Sequence, residues 1–131
     1  MDIFKKLKEL NLPLGEYVSV GSAPLAARGI REAGDLDIAV TPKLLKKLID
    51  SKKYQEVEKY GKLFLEADNI EISPELNRDG YSITTEEAIK TADIINGYPF
   101  LNITETIKFK RALGREKDFK DIELLKDYQK K

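Results

Sequence analysis

Apolar residues along the chain follow a helical rhythm in some stretches and strict alternation in others, and the switches between the two mark its elements. Ile3, Phe4, Leu7 and Leu10 share one helical face behind Asp2, which suits an N-cap, and Asn11 and Pro13 stop the pattern. A short apolar run over 17–20 reads as a strand. A helix is predicted from about Ser22 to Glu32, broken by Gly34, and a second strand follows at Asp35–Val40. Thr41-Pro42 starts a helix with Leu44, Leu45, Leu48 and Ile49 as its buried stripe, running to about Lys52. Residues 54–60 and 62–66 read as strands around Gly61. Ala67-Asp68-Asn69 reads as a turn, and Ile70-Glu71-Ile72 alternates again. The remainder is expected to be helical: Thr84 or Thr85 to Asn96 with Gly97 just beyond its end, Thr104 to Leu113, and a last helix from about Glu116. That last helix would carry Phe119, Ile122, Leu125 and Tyr128 on one face, and Tyr98–Asn102 would be a connecting or edge segment. This order predicts an α/β (α+β) fold, a small mixed sheet packed by helices. It fits one domain over 1–131, with a core over 15–75 and a C-terminal helical part over 84–131.

Alternation gives the second strand its chemical interest. Leu36, Ile38 and Val40 point to the core, so Asp35 and Asp37 project together from the other face. Adjacent carboxylates repel one another, and a hard divalent cation such as Mg²⁺ relieves the repulsion and often brings substrate phosphates with it. Upstream, Gly21 lets backbone approach a ligand closely, and Ser22 before Pro24 opens a predicted helix whose free N–H groups favour phosphate. A phosphate cradle beside paired metal ligands suggests nucleotidyl transfer. Taken alone, the Asp-Leu-Asp-Ile pattern would describe the wet face of a half-buried sheet. A Gly-Ser step that opens a predicted helix just upstream turns the reading toward a metal site.

Composition narrows the alternatives. The chain has no cysteine and no histidine, which excludes disulfides, thiolate catalysis, Cys-based zinc sites and histidine bases. Carboxylates, Lys, Arg, Tyr and a metal remain. Lys plus Arg equals Asp plus Glu at 23 each, which argues against holding nucleic acid by bulk electrostatics. Met1-Asp2-Ile3-Phe4-Lys5-Lys6 lacks the apolar core of a signal peptide, and no segment approaches membrane-spanning length, so no membrane association and a cytoplasmic location are expected.

Gly21-Ser22, twelve intervening residues, and Asp35-Leu36-Asp37 among apolar neighbours resemble the signature of the DNA polymerase beta-like nucleotidyltransferase superfamily. The spacing and the Arg28-Gly29-x-Arg31 insert are similar to the CCA-adding branch. The segment Lys110-Arg111-x-x-x-Arg115-x-Lys117-Asp118-x-x-Asp121 resembles the tails of stand-alone members. The resemblance implies a nucleotidyltransferase-like fold, an NTP (ATP the expected one) and Mg²⁺ or Mn²⁺ held by Asp35 and Asp37. It also implies a third carboxylate from a later strand, for which Glu71 is the candidate; the other reading makes Glu71 a solvent-facing residue. Gly21, Ser22, Arg28, Arg31, Lys110 and Arg111 are the candidate nucleotide contacts. Against these stand an N-cap role for Ser22, exposed helix positions for Arg28 and Arg31, and a Lys110 stem that snorkels over the core toward Asp118 or Asp121. The expected activity transfers a nucleoside monophosphate to a hydroxyl on a small molecule or partner protein, with release of pyrophosphate. The alternative is a non-catalytic nucleotide-binding or regulatory, antitoxin-type module.

Overall fold

The computed structural model describes residues 1–131 and contains one seven-stranded mixed sheet with helices on both faces. In chain order the elements are α1 (Ile3–Leu10), β1 (Tyr17–Val20), α2 (Ala23–Ala27), β2 (Leu36–Val40), α3 (Pro42–Ser51), β3 (Gln55–Lys59), β4 (Lys62–Ala67), β5 (Ile70–Ser73), α4 (Thr85–Lys90), β6 (Asp93–Ile95), β7 (Tyr98–Phe100), α5 (Ile103–Leu113) and α6 (Glu116–Gln129). The strands lie in the order β3-β4-β5-β2-β1-β7-β6. Two pairs are parallel, β2 with β5 and β1 with β7, and the other pairs run antiparallel.

Alternation along the central strands divides the core. Tyr17, Leu36, Ile38, Val40, Ile70 and Ile72 face one side and meet Ile3 and Leu7 of α1 and Leu44 of α3. Val18, Val20 and Ala39 face the other and meet Ala88 of α4 and Phe109 of α5. Burying a side chain such as Leu36 or Ile38 completely contributes on the order of 1.5–3 kcal/mol, so this two-sided packing fixes which face each strand residue presents. Asp37 and Glu71, one step out of phase with the apolar rows, are forced onto the α5 side.

The predicted α1, α3, central strands and hairpin are present, while four stretches differ. α2 ends at Ala27 rather than near Glu32, because the Ile30 N–H returns to the Leu25 carbonyl and closes the helix. The helix expected to reach Asn96 ends at Lys90. Asn96 and Gly97, at φ of 52° and 86°, instead form the tight turn of the β6–β7 hairpin, a conformation that Asn-Gly favours. Sheet therefore continues into the stretch expected to be helical. α5 begins at Ile103, because the Asn102 side chain, not Thr104, accepts the Glu105 N–H at 2.8 Å. α6 buries Asp118, Asp121, Ile122 and Leu125 and leaves Phe119 and Tyr128 largely exposed, since its inner face meets cations as well as core. No helix is long and apolar enough to cross a membrane.

Candidate functional site

Parallel pairing of β2 with β5 sets Asp37 directly opposite Glu71, and antiparallel pairing of β5 with β4 sets Glu71 opposite Glu66. Asp35 precedes β2 and shares the alternation of Asp37. Asp35, Asp37 and Glu71 border one cleft of about 500 Å³ between this sheet face and the helices α5 and α6. The same three carboxylates, with Glu66, also edge a smaller space of about 210 Å³. Like charges on neighbouring strands repel, and burial adds to the effect. Desolvation first, then Glu71 and Asp35, push the Asp37 carboxyl up from its ordinary 3.8 to about 6.

The loop after β1 closes tightly on this group. At Gly21, where φ is 70°, a Cβ atom would lie 2.5 Å from Asp37 Oδ2, so any side chain there would sit on strained backbone and displace the Asp37 carboxylate. The Ser22 hydroxyl lies 3.4 Å from the Asp35 carbonyl and does not cap α2. α2 is a single five-residue turn of helix, too short to supply the N-terminal phosphate site expected from the sequence. What Gly21-Ser22 brings to the cleft is close backbone and a hydroxyl whose one partner is long and weak.

Cations line the opposite wall, and most are already paired. Arg31 donates two hydrogen bonds of 2.7 Å to the Asp121 carboxylate. Lys110, only 4% exposed, lies 2.9 Å from Asp121 and 3.8 Å from Asp118. Arg115 grips Asp118 through Nε at 2.6 Å and Nη2 at 3.1 Å. Burial pushes both aspartate carboxyls up, but hydrogen bonds from Arg115 to Asp118, and from Arg31 and Lys110 to Asp121, outweigh it and hold them below the ordinary value. Lys110 thus neither contacts solvent by snorkelling nor stands free: it is a buried cation of the cleft wall held between two acids of α6. Lys59 plays a similar part for the third carboxylate, lying 2.8 Å from Glu71 and 2.6 Å from Glu66.

Of the residues singled out in the sequence, Gly21, Ser22, Arg31, Asp35, Asp37, Glu71 and Lys110 line the cleft. Arg28 and Arg111 do not. Arg28 turns away because α2 ends just before it, and pairs with Asp93 and the Pro24 carbonyl. Arg111 lies on the outer face of α5 beside Tyr81 and Ser82. Lys59, Arg78, Arg115, Asp118 and Asp121 also belong to the cleft. Asp118 and Asp121 fall at helical spacing within the basic C-terminal segment, a signal that the sequence carries. Nothing in the local pattern marks Lys59 or Arg78.

The carboxylates do not converge as a preformed cage of three acids that could hold a metal ion. Mg²⁺ is ordinarily bound through one or two carboxylates with substrate phosphates completing the shell, and the hard oxygens of Asp35 and Asp37 meet that requirement. Burial first, then Glu71 and Asp35, disfavour the charged form of Asp37, and the close Gly21 backbone leaves little room beside its Oδ2. Asp35 and Asp37 are the residues of the cleft whose chemistry suits such a cation, while Glu71 is paired with Lys59.

No protein family profile matches the chain, and no curated protein matches it in sequence. Among solved structures it is similar to an antigenic nucleotidyltransferase-like protein from Paracoccidioides brasiliensis, at 17% identity and a TM-score of 0.45, over 94% of this chain and 71% of that one. A likeness at that level carries no argument about chemistry, which only the cleft's own residues can supply.

Proposed function

We propose that the chain is a Mg²⁺-dependent nucleotidyltransferase that transfers a nucleoside monophosphate from an NTP, with ATP the nucleotide to test first, to a hydroxyl acceptor. The observation that carries this reading is the row Asp35, Asp37 and Glu71 on one sheet face, against the close backbone of Gly21-Ser22 and beneath a wall of arginines and lysines. Acidic residues face cationic ones across a space sized for a nucleotide. A divalent cation held by Asp35 and Asp37 would neutralise triphosphate charge and make the α-phosphorus a better electrophile. The chain's own residues would do the rest. Gly21-Ser22 would place the phosphates, Arg31 and Lys110 would stabilise charge building on the leaving pyrophosphate, and a carboxylate of the row would take the acceptor's proton. Glu71, which is not needed to hold that cation, is the carboxylate of the row left for this role.

The test is thermal. Mg²⁺ with ATP should raise the melting temperature, ATP without a divalent cation should do so far less, and the double variant Asp35→Asn/Asp37→Asn should lose the effect. At about 100 times the Kd a ligand contributes about 2.7 kcal/mol, readily seen in a domain of this size. A double variant that still responds to Mg²⁺-ATP overturns the assignment.

One feature favours a second reading, a nucleotide binder without turnover. Glu71, the third carboxylate, is engaged by Lys59. Pyrophosphate release by the wild-type protein decides between the two.

A further inference from the structure

Arg78 has no part in the nucleotide reading and stands out among the cations of the cleft. Arg31, Lys59, Lys110 and Arg115 each pair with a carboxylate, and Lys117 is exposed to solvent. Arg78 has no carboxylate partner. Its guanidinium lies 4.4 Å from the centre of the Tyr60 ring and 5.8 Å from that of Phe109. Nη1 donates to the Asn77 carbonyl at 2.8 Å, and the buried Nε–H has no acceptor at all. A charged guanidinium that borders a cleft and has no carboxylate beside it is suited to pairing with an anion.

A space for one adjoins it. A second cavity of about 570 Å³ is lined by Tyr60, Lys62, Arg78, Asp79 and Arg115, among others. Tyr60, Arg78, Leu113 and Arg115 border both this cavity and the main cleft, so the two spaces share a wall. Tyr60 is 69% exposed, leaving ring surface open to a ligand while Arg78 stacks on it. A guanidinium resting 4.4 Å from an aromatic ring centre is partly fixed in position, and its remaining N–H groups are suited to a phosphate oxygen. The volume suits a small molecule rather than a macromolecule. The chain's net charge of zero speaks against a nucleic acid strand as the occupant.

We propose that this second cavity is the acceptor subsite, and that it takes a small hydroxyl compound carrying a phosphate group, gripped by Arg78. The proposal rests on the nucleotidyltransferase reading of the main cleft. The acceptor's hydroxyl oxygen forms a bond to the α-phosphorus of the nucleotide, and the bond from that phosphorus to the bridging oxygen breaks. Pyrophosphate leaves with the electron pair, and the hydroxyl proton passes to a carboxylate of the acidic row. The phosphate of the acceptor stays bound to Arg78 and is not itself transferred.

Ribose 5-phosphate is the probe, ribose its control, and the full chain is saturated with Mg²⁺ and α,β-methylene-ATP. Nuclear magnetic resonance follows the Arg78 Nε–H and the Tyr60 amide. Ribose 5-phosphate should move both signals and ribose should not, and Arg78→Met, which keeps the apolar stem, should weaken binding about ten-fold or more. Should Arg78→Met fail to fold, Tyr60→Ala at an exposed site should weaken it about two-fold or more. The assignment is overturned by an unmoved Arg78 signal at about 10 mM probe, by an equal response to ribose, or by a response only to a single-stranded oligonucleotide. Mg²⁺-ATP melting on the same samples separates the two readings. Ribose 5-phosphate bound at Arg78 without any Mg²⁺-ATP stabilisation removes the nucleotide reading and the acceptor role with it. Mg²⁺-ATP stabilisation with a silent Arg78 removes the subsite alone.

Discussion

Asp37 and Glu71 stand opposite one another on the parallel strands β2 and β5, both on the sheet face that looks toward α5. Parallel pairing holds the two carboxylates side by side whatever occupies the cleft. The cost is visible in Asp37, raised to about 6 by burial, by Glu71 and by Asp35.

Asp37→Asn should therefore stabilise the empty protein at neutral pH while removing its response to Mg²⁺-ATP. An upward shift from 3.8 to about 6 penalises the folded state, and allowing for partial exposure the gain should be about 1–2 kcal/mol. Urea denaturation at pH 7.5 measures it; a variant less stable than the parent refutes the account.

The same group predicts a pH trend. Because the folded pKa of Asp37 lies above its ordinary value, the penalty is complete above about pH 6 and is relieved as the pH falls toward 3.8. Asp118 and Asp121, held below the ordinary value, contribute stability that is lost only as the pH falls below that range. Stability should rise as the pH drops from about 7 to about 5. That rise should flatten in Asp37→Asn, as followed by chemical denaturation across the range.

Gly21→Ala tests the fit of the loop. The added Cβ would meet Asp37 Oδ2 at 2.5 Å, on a backbone at φ of 70° that disfavours any side chain. A destabilisation of about 1–2 kcal/mol is expected. Displacement of Asp37 should also reduce Mg²⁺-ATP stabilisation below the parent's, measured at equal ligand concentration.

Glu71→Gln separates turnover from binding. The change frees Lys59 to pair with Glu66 alone, so stability should move by less than about 1 kcal/mol, as for a partly exposed ion pair. If Glu71 serves catalysis, Mg²⁺-ATP should still stabilise the variant while pyrophosphate release stops. Release at the parental rate assigns Glu71 a structural role.

Lys110→Met probes the opposite wall. Removing the ammonium leaves Asp121 with Arg31 and Asp118 with Arg115, so the loss should be about 1–3 kcal/mol, short of a fully orphaned buried charge. A lower urea midpoint with an unchanged slope is the expected signature.

The acidic row is legible in the sequence because a strand's alternation is strict, so Leu36, Ile38, Ile70 and Ile72 fix where Asp35, Asp37 and Glu71 point. Helix boundaries are less so. Asn96-Gly97 serves as readily after a helix as within a hairpin, and only pairing of β6 with β7 selects the second. Arg28 sits in a family-like insert, yet the early end of α2 turns it to Asp93. Arg78 comes from an irregular stretch after β5, where no periodicity says which way a side chain points. The buried face of α6 escapes the pattern because hydrophobicity nominates Phe119 and Tyr128, while the cations beneath the helix select Asp118 and Asp121.

Those two aspartates make α6 more than a packing element. They neutralise Lys110, Arg31 and Arg115 from within, so the cleft offers phosphates a graded attraction instead of a bare cationic wall. Without α6, Lys110, Arg31 and Arg115 would lose both carboxylates, and the cleft wall itself would become a patch of bare positive charge.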